Sequence, residues 1–82
     1  MENLENKTIR ELAQIIQNDW KSVNNEASHY LGAMFQMTSI KDRVGMDIGY
    51  GIVGYFLANC HGWKGDTAQL VKAELTKRMQ TP

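Results

Sequence analysis

The residues best suited to chemistry fall in the second half of the chain. Gly49-x-Gly51-x-x-Gly54 has the spacing of a dinucleotide-binding fingerprint, and Glu74 stands 20 positions beyond the last glycine. That fingerprint works only where a strand turns into a helix, so that the glycine turn and the helix N-terminus face a pyrophosphate. Residues 42–46 give no strand signal, the glycines fall inside a helical pattern, and Glu74 sits on another helix, so nucleotide binding is not expected. Gly62-Trp63-Lys64-Gly65-Asp66-Thr67 resembles a phosphate loop in composition but lacks the Gly-Lys-Thr/Ser order that brings an ammonium and a hydroxyl to the phosphates. It reads better as the end of one helix running into the start of the next. Cys60, His61 and His29 are the remaining candidates for a nucleophile with its base, or for a metal. Adjacent side chains on a helix diverge, and a zinc site needs three or four ligands at recognisable spacing. Cys60 reads as a small buried hydrophobe and His61 as a helix-terminal residue favoured by the dipole. No enzyme, cofactor or metal is expected.

These residues are carried by four helical patterns. Thr8-Ile9-Arg10-Glu11 has the capping-box form, and Ile9, Leu12, Ala13, Ile16 and Trp20 then make one stripe, with Ile15 at its edge. The first helix is expected over about 9–20, with 1–7 frayed ahead of it. Asn24-Asn25 can cap a second helix over about 26–37, with the stripe Ala27, Tyr30, Leu31, Met34 and Phe35. Thr38 to Gly45 connects, with room for a short helical turn at 39–44. Asp47 is the expected cap of a third helix, 48–60, closed by Gly62 as a left-handed terminator. Asp66, with Gln69 three residues on, caps a fourth over about 67–79, where Ala68, Val71, Leu75 and Met79 form a narrow stripe and Pro82 lies beyond the end. No segment alternates at period two. The expectation is an all-α bundle of one domain, 1–82, around a central uncharged helix.

That central helix, Ile48 to Cys60, has no charged residue. On a helical wheel Tyr50, Ile52, Val53, Phe56, Leu57 and Cys60 cover one side, while Gly51, Gly54 and Ala58 line the other, with Tyr55 beside them. A helix apolar all round belongs in the middle of its protein or at an interface. The small face is either core, under the first or fourth helix, or a self-association or partner seam.

Composition narrows the class of function. The 82 residues are 43% hydrophobic and 22% charged, an ordinary globular balance. A chain this size has a net stability of about 5–10 kcal/mol, so one well-buried side chain is a large fraction of the total. No window offers the roughly 18 apolar residues of a membrane span, the N-terminus lacks the order of a secretory signal, and one cysteine builds no internal disulfide; the expected location is the cytoplasm. Nine basic residues balance nine acidic ones, which argues against a protein living mainly on phosphate contacts. Residues 1–40 carry three basic against five acidic side chains, and 60–82 four against two, differences of the size solvated faces show.

Asp47-x4-Ile52-Val53-x-Tyr55-Phe56-Leu57-x-Asn59, then Trp63-Lys64-Gly65-Asp66-Thr67-Ala68 and Lys72-Ala73-Glu74-Leu75, resembles a set of short helical proteins associated with bacteriophages and prophages. In these a Tyr-Phe-Leu-x-Asn helix leads into a Trp-basic-Gly turn and a Lys-Ala-Glu-Leu helix. The similarity takes in Asp19-Trp20-Lys21 and Tyr30-Leu31, and so most of the chain, while the glycines at 51 and 54 depart from the pattern. The resemblance implies a mobile-element origin and carries over no activity, ligand or functional residue.

Three functions follow as expectations. The first is a small phage-type protein-interaction module that binds, and by preference inhibits, a larger host or phage machine, counter-defence of the anti-CRISPR kind included. Its candidate contacts are Trp63 and Lys64, projecting from the interhelix turn, Leu70 opposite the last helix's stripe, and Lys77 and Arg78; Trp63 stapling two helices and Leu70 as an ordinary exposed leucine are the plainer alternatives. The second is a helix-turn-helix-like DNA-binding module with Gln69, Lys72, Lys77 and Arg78 on its second helix. The third is a homodimeric assembly component using Gly51, Gly54, Tyr55 and Ala58 as its seam.

Overall fold

The computed structural model describes residues 3–80. Four α-helices are present: α1 (Ile9–Asp19), α2 (Asn25–Met34), α3 (Gly49–Ala58) and α4 (Asp66–Gln80). Between α2 and α3 lies a two-stranded antiparallel hairpin, β1 (Arg43–Val44) and β2 (Asp47–Ile48), with Val44 opposite Asp47 and Arg43 opposite Ile48. The fold is thus mostly helical rather than purely α. Pro82 lies outside the described residues.

Local chemistry sets α1 and α2. The Thr8 hydroxyl accepts from the Glu11 N–H (3.1 Å) while the Glu11 carboxylate accepts from the Thr8 N–H (2.7 Å), a complete capping box. The next N–H groups, of Ile9 and Arg10, donate to the carbonyls of Thr38 and Met37, so the N-terminus of α1 is satisfied by the segment leaving α2. Arg10 Nε returns a hydrogen bond to the Phe35 carbonyl, 2.8 Å, at the end of α2. Asn24 caps α2 through the Ala27 N–H and donates its amide to the Asn59 carbonyl beyond α3. One side chain therefore registers two helices.

The stripes read from the sequence form the core: Ile9, Leu12, Ala13, Ile16 and Trp20 from α1 and its end, Ala27, Leu31 and Met34 from α2, Ile52, Val53 and Phe56 from α3, and Ala68, Val71 and Leu75 from α4. Met37 and Ile40 of the connector join them, as does Leu4. In the stretch 1–7 expected to fray, residues 1 and 2 lie outside the described residues, and a 3-10 turn spans Leu4–Asn6. Arg78 holds this turn on α4 by donating to the Leu4 carbonyl at 2.8 Å.

The connector departs most from expectation. No helical turn forms over 39–44. The Asp42 carboxylate accepts from the N–H groups of Thr38 and Ser39, tying a tight turn, and β1 follows. Gly45 takes φ of +62° while Met46 does not leave negative φ, which fits a two-residue hairpin loop with glycine in its first central position. Asp47 consequently lies in β2, and Ile48 precedes α3 without any side-chain cap. The Gly49 N–H donates to the Asp42 carbonyl at 2.6 Å, supplying the partner a cap would have given. Nor does Gly62 take a positive φ; α3 ends on Asn59, and the positive-φ glycine of the link is Gly65, at +113° just before α4, with Asp66 inside that helix's first turn.

Candidate functional site

Trp63, expected to project, is 2% exposed. Its ring stacks on Trp20 (centroids 5.9 Å, planes 11° apart), its Nε1–H donates to Asp19 at 2.8 Å, and the Lys72 ammonium lies 5.8 Å from its ring centre while donating to its carbonyl. Phe56 meets Trp20 edge-on at 6.3 Å. Trp63 is therefore a staple joining the ends of α1 and α3 to α4, and it presents nothing to a partner. Lys64 stays exposed on the same link.

Arg78 and Lys77 both make contacts within the fold, Lys77 from a half-exposed position. Glu74, 8% exposed, takes Arg78 Nε at 2.8 Å and Lys77 at 3.4 Å, and Lys77 further pairs with Glu5 at 3.6 Å. With Lys72 on Trp63, the cations expected to line a recognition helix are engaged within the fold. Leu70 is exposed as expected and lines a shallow depression of about 430 Å³ beside Leu4 and Ala73.

The small face of α3 meets α4 at one point only among the described residues: a Cβ at Gly54 would come within 3.0 Å of the Met79 methyl, whereas one at Gly51 would meet nothing within 4 Å and Ala58 is exposed. The glycine under steric demand is Gly49: a Cβ there would come within 2.8 Å of the Met37 methyl and of the carbonyl oxygens of Ile40 and Asp42. The start of the apparent fingerprint is thus a point where backbone crosses backbone. Tyr50, assigned to the bulky core side, faces solvent at 46% exposure.

With Gly51 as floor, a groove of about 660 Å³ opens where three elements meet. α2 supplies His29 and Tyr30, the hairpin supplies Met46, Asp47 and Ile48, and α3 supplies Tyr50, Gly51, Ile52 and Tyr55. Tyr30 and Tyr55 stack (centroids 5.3 Å, planes 20° apart), and His29 packs edge-on to Tyr30 at 5.2 Å. Met46, at the hairpin tip, is 95% exposed. Of the large exposed hydrophobic side chains among the described residues, Met46, Ile48, Tyr50 and Tyr55 all line this groove, and only Leu70 lies elsewhere. Aromatic types are segregated: all three tyrosines of the chain line the groove, and both tryptophans stack in the core.

Of the groove residues, the sequence points to Gly51 and Tyr55 as a possible seam and to His29 only as a discounted metal ligand or base. The available signal was an apolar residue, Met46, set inside a glycine turn where no helical or strand stripe accounts for it. Cys60 is buried; burial raises its thiol pKa, and its Sγ donates weakly to the Leu57 carbonyl at 3.4 Å. A thiol held protonated in this way is a poor nucleophile. Among the described residues no helix is long and apolar enough to cross a membrane. Compared with known proteins, the chain matches no family model, no curated protein and no solved structure.

Proposed function

We propose that this chain is a protein-interaction module of the phage or mobile-element type, which captures a larger protein machine and inhibits it, with the groove between the hairpin, α2 and α3 as its capture face. One observation carries the reading. Four of the five large exposed hydrophobic side chains among the described residues, and all three tyrosines, gather on one concave surface, whereas exposed apolar residues on a monomer are ordinarily scattered. Tyrosine suits such a face because it contributes a large, stiff ring with a polar tip. Inhibition, counter-defence included, is part of the proposal and extends from the mobile-element origin that the resemblance implies.

Pull-down of a partner from nuclease-treated host lysate tests the face. Met46→Ser with Tyr55→Ser, both at exposed positions, is expected to lose a partner that the wild-type chain retains, while Lys64→Ser with Leu70→Ser keeps it. Loss through the Lys64 and Leu70 pair alone would move the capture face to α4.

A second reading is favoured by the open space above Gly51 and the exposure of Ala58, which leave room for another copy's backbone. Light scattering at high micromolar concentration distinguishes a dimer from a monomer. DNA binding finds no comparable support, since Lys72, Lys77 and Arg78 make intramolecular contacts.

A further inference from the structure

We propose that the groove receives an arginine side chain of the partner polypeptide, its guanidinium stacked on a tyrosine face and forked onto the Asp47 carboxylate. The inference rests on the groove being the capture face and adds the chemistry of the residue it captures.

Charge complementarity supports it. Among the described residues, Asp47 is the one lining residue carrying a carboxylate, and no lysine or arginine lines the groove. Of the other aspartates, Asp42 accepts from two backbone N–H groups and Asp19 from Trp63, while Asp66 opens α4, outside the groove lining. The exposed Asp47 carboxylate forms no hydrogen bond or ion pair among the described residues. Arg43, across the hairpin from Ile48, forms no ion pair with Asp47 among the described residues. Glu26, one turn before Tyr30 on α2, adds negative charge beside the groove.

The rings complete the match. A cation is attracted to the face of a tyrosine, and Tyr55 is 60% exposed while its stack with Tyr30 holds its plane. A guanidinium is planar, weakly hydrated and able both to stack and to fork onto a carboxylate, which an ammonium cannot do. Met46 and Ile48 then offer apolar surface to the residues flanking the arginine.

The test is an amide-resolved NMR titration of the full chain with the peptide acetyl-Leu-Arg-Leu-amide and with its citrulline counterpart, which keeps the planar shape and removes the charge. Shifts are expected at residues 29–30 and 46–55, with the arginine peptide binding about five- to tenfold more tightly, in the range of a cation–π contact plus a partly screened ion pair. Asp47→Asn is expected to remove the ion-pair share of that preference, leaving the arginine peptide between its wild-type affinity and the citrulline level, with spectral dispersion unchanged. Equal binding of the two peptides, shifts centred elsewhere, or no shifts with either overturns the proposal. Partner capture that survives Asp47→Asn but is lost in the Met46 and Tyr55 variant removes the arginine and leaves the proposed function standing. Arginine-selective binding alongside capture that survives the Met46 and Tyr55 variant does the reverse.

Discussion

Trp20 and Trp63 lie with their ring planes 11° apart at the point where the end of α1 meets the link between α3 and α4. The contact joins residues 43 positions apart in sequence and is held at its rim by the Trp63–Asp19 hydrogen bond. Trp63→Ala is expected to cost about 3–5 kcal/mol, the range for deleting a large buried aromatic. That is a large fraction of the stability of a chain this size, so chemical denaturation should find the variant marginal or unfolded. Trp63→Phe keeps the ring and loses the donor to Asp19, and should cost less.

Gly49 and Gly51 are expected to respond to alanine with opposite sign. At Gly49 the new Cβ meets two carbonyl oxygens that cannot move without displacing the connector, so Gly49→Ala destabilises. At Gly51 nothing is near, and alanine gains up to about 1 kcal/mol of helix propensity. Thermal melts of the two single variants check the pair.

Arg78 reaches the Leu4 carbonyl and the nearly buried Glu74 together. Arg78→Met is expected to cost about 1–3 kcal/mol, the range for charge-assisted hydrogen bonds, with Lys77 still beside Glu74. Hydrogen exchange should accelerate at residues 4–7 while partner capture, if it uses the groove, is unaffected. Loss of capture in a folded variant would return this residue to the candidate interface.

Acid should weaken the fold through two exposed carboxylates. The Thr38 and Ser39 N–H groups hold Asp42 below the usual carboxylate range, and the Thr8 N–H does the same for Glu11. Because both pKa values are lower folded than unfolded, their stabilisation is present above the unfolded value and disappears as pH falls through the folded one. Melting temperature should therefore drop below about pH 4, and Asp42→Asn should lower it at neutral pH while flattening that drop.

The parts of the fold legible in the sequence are those fixed by neighbours three or four residues apart. The Thr8–Glu11 box and the four core stripes depend on such spacing. Asp47 misled because its role as a cap was taken over by a distant carbonyl, that of Asp42. The hairpin is two residues per strand, too short for alternation to register, and only Gly45 marks it. Trp63 was ambiguous because the ring that buries it belongs to Trp20, in another helix's stripe. The groove was mostly hidden for a related reason: its lining comes from α2, the hairpin and α3, and no single segment carries its pattern.

The segregation of aromatic types has a spectroscopic consequence. Indole emission reports only the junction of α1, α3 and α4, because both tryptophans sit there in one stack. Phenol absorbance and tyrosine resonances report only the groove. Unfolding and ligand docking are thus followed by separate native chromophores in one unlabelled sample, and a titration that perturbs the phenols while leaving indole emission fixed records occupancy of the groove without a change in the core.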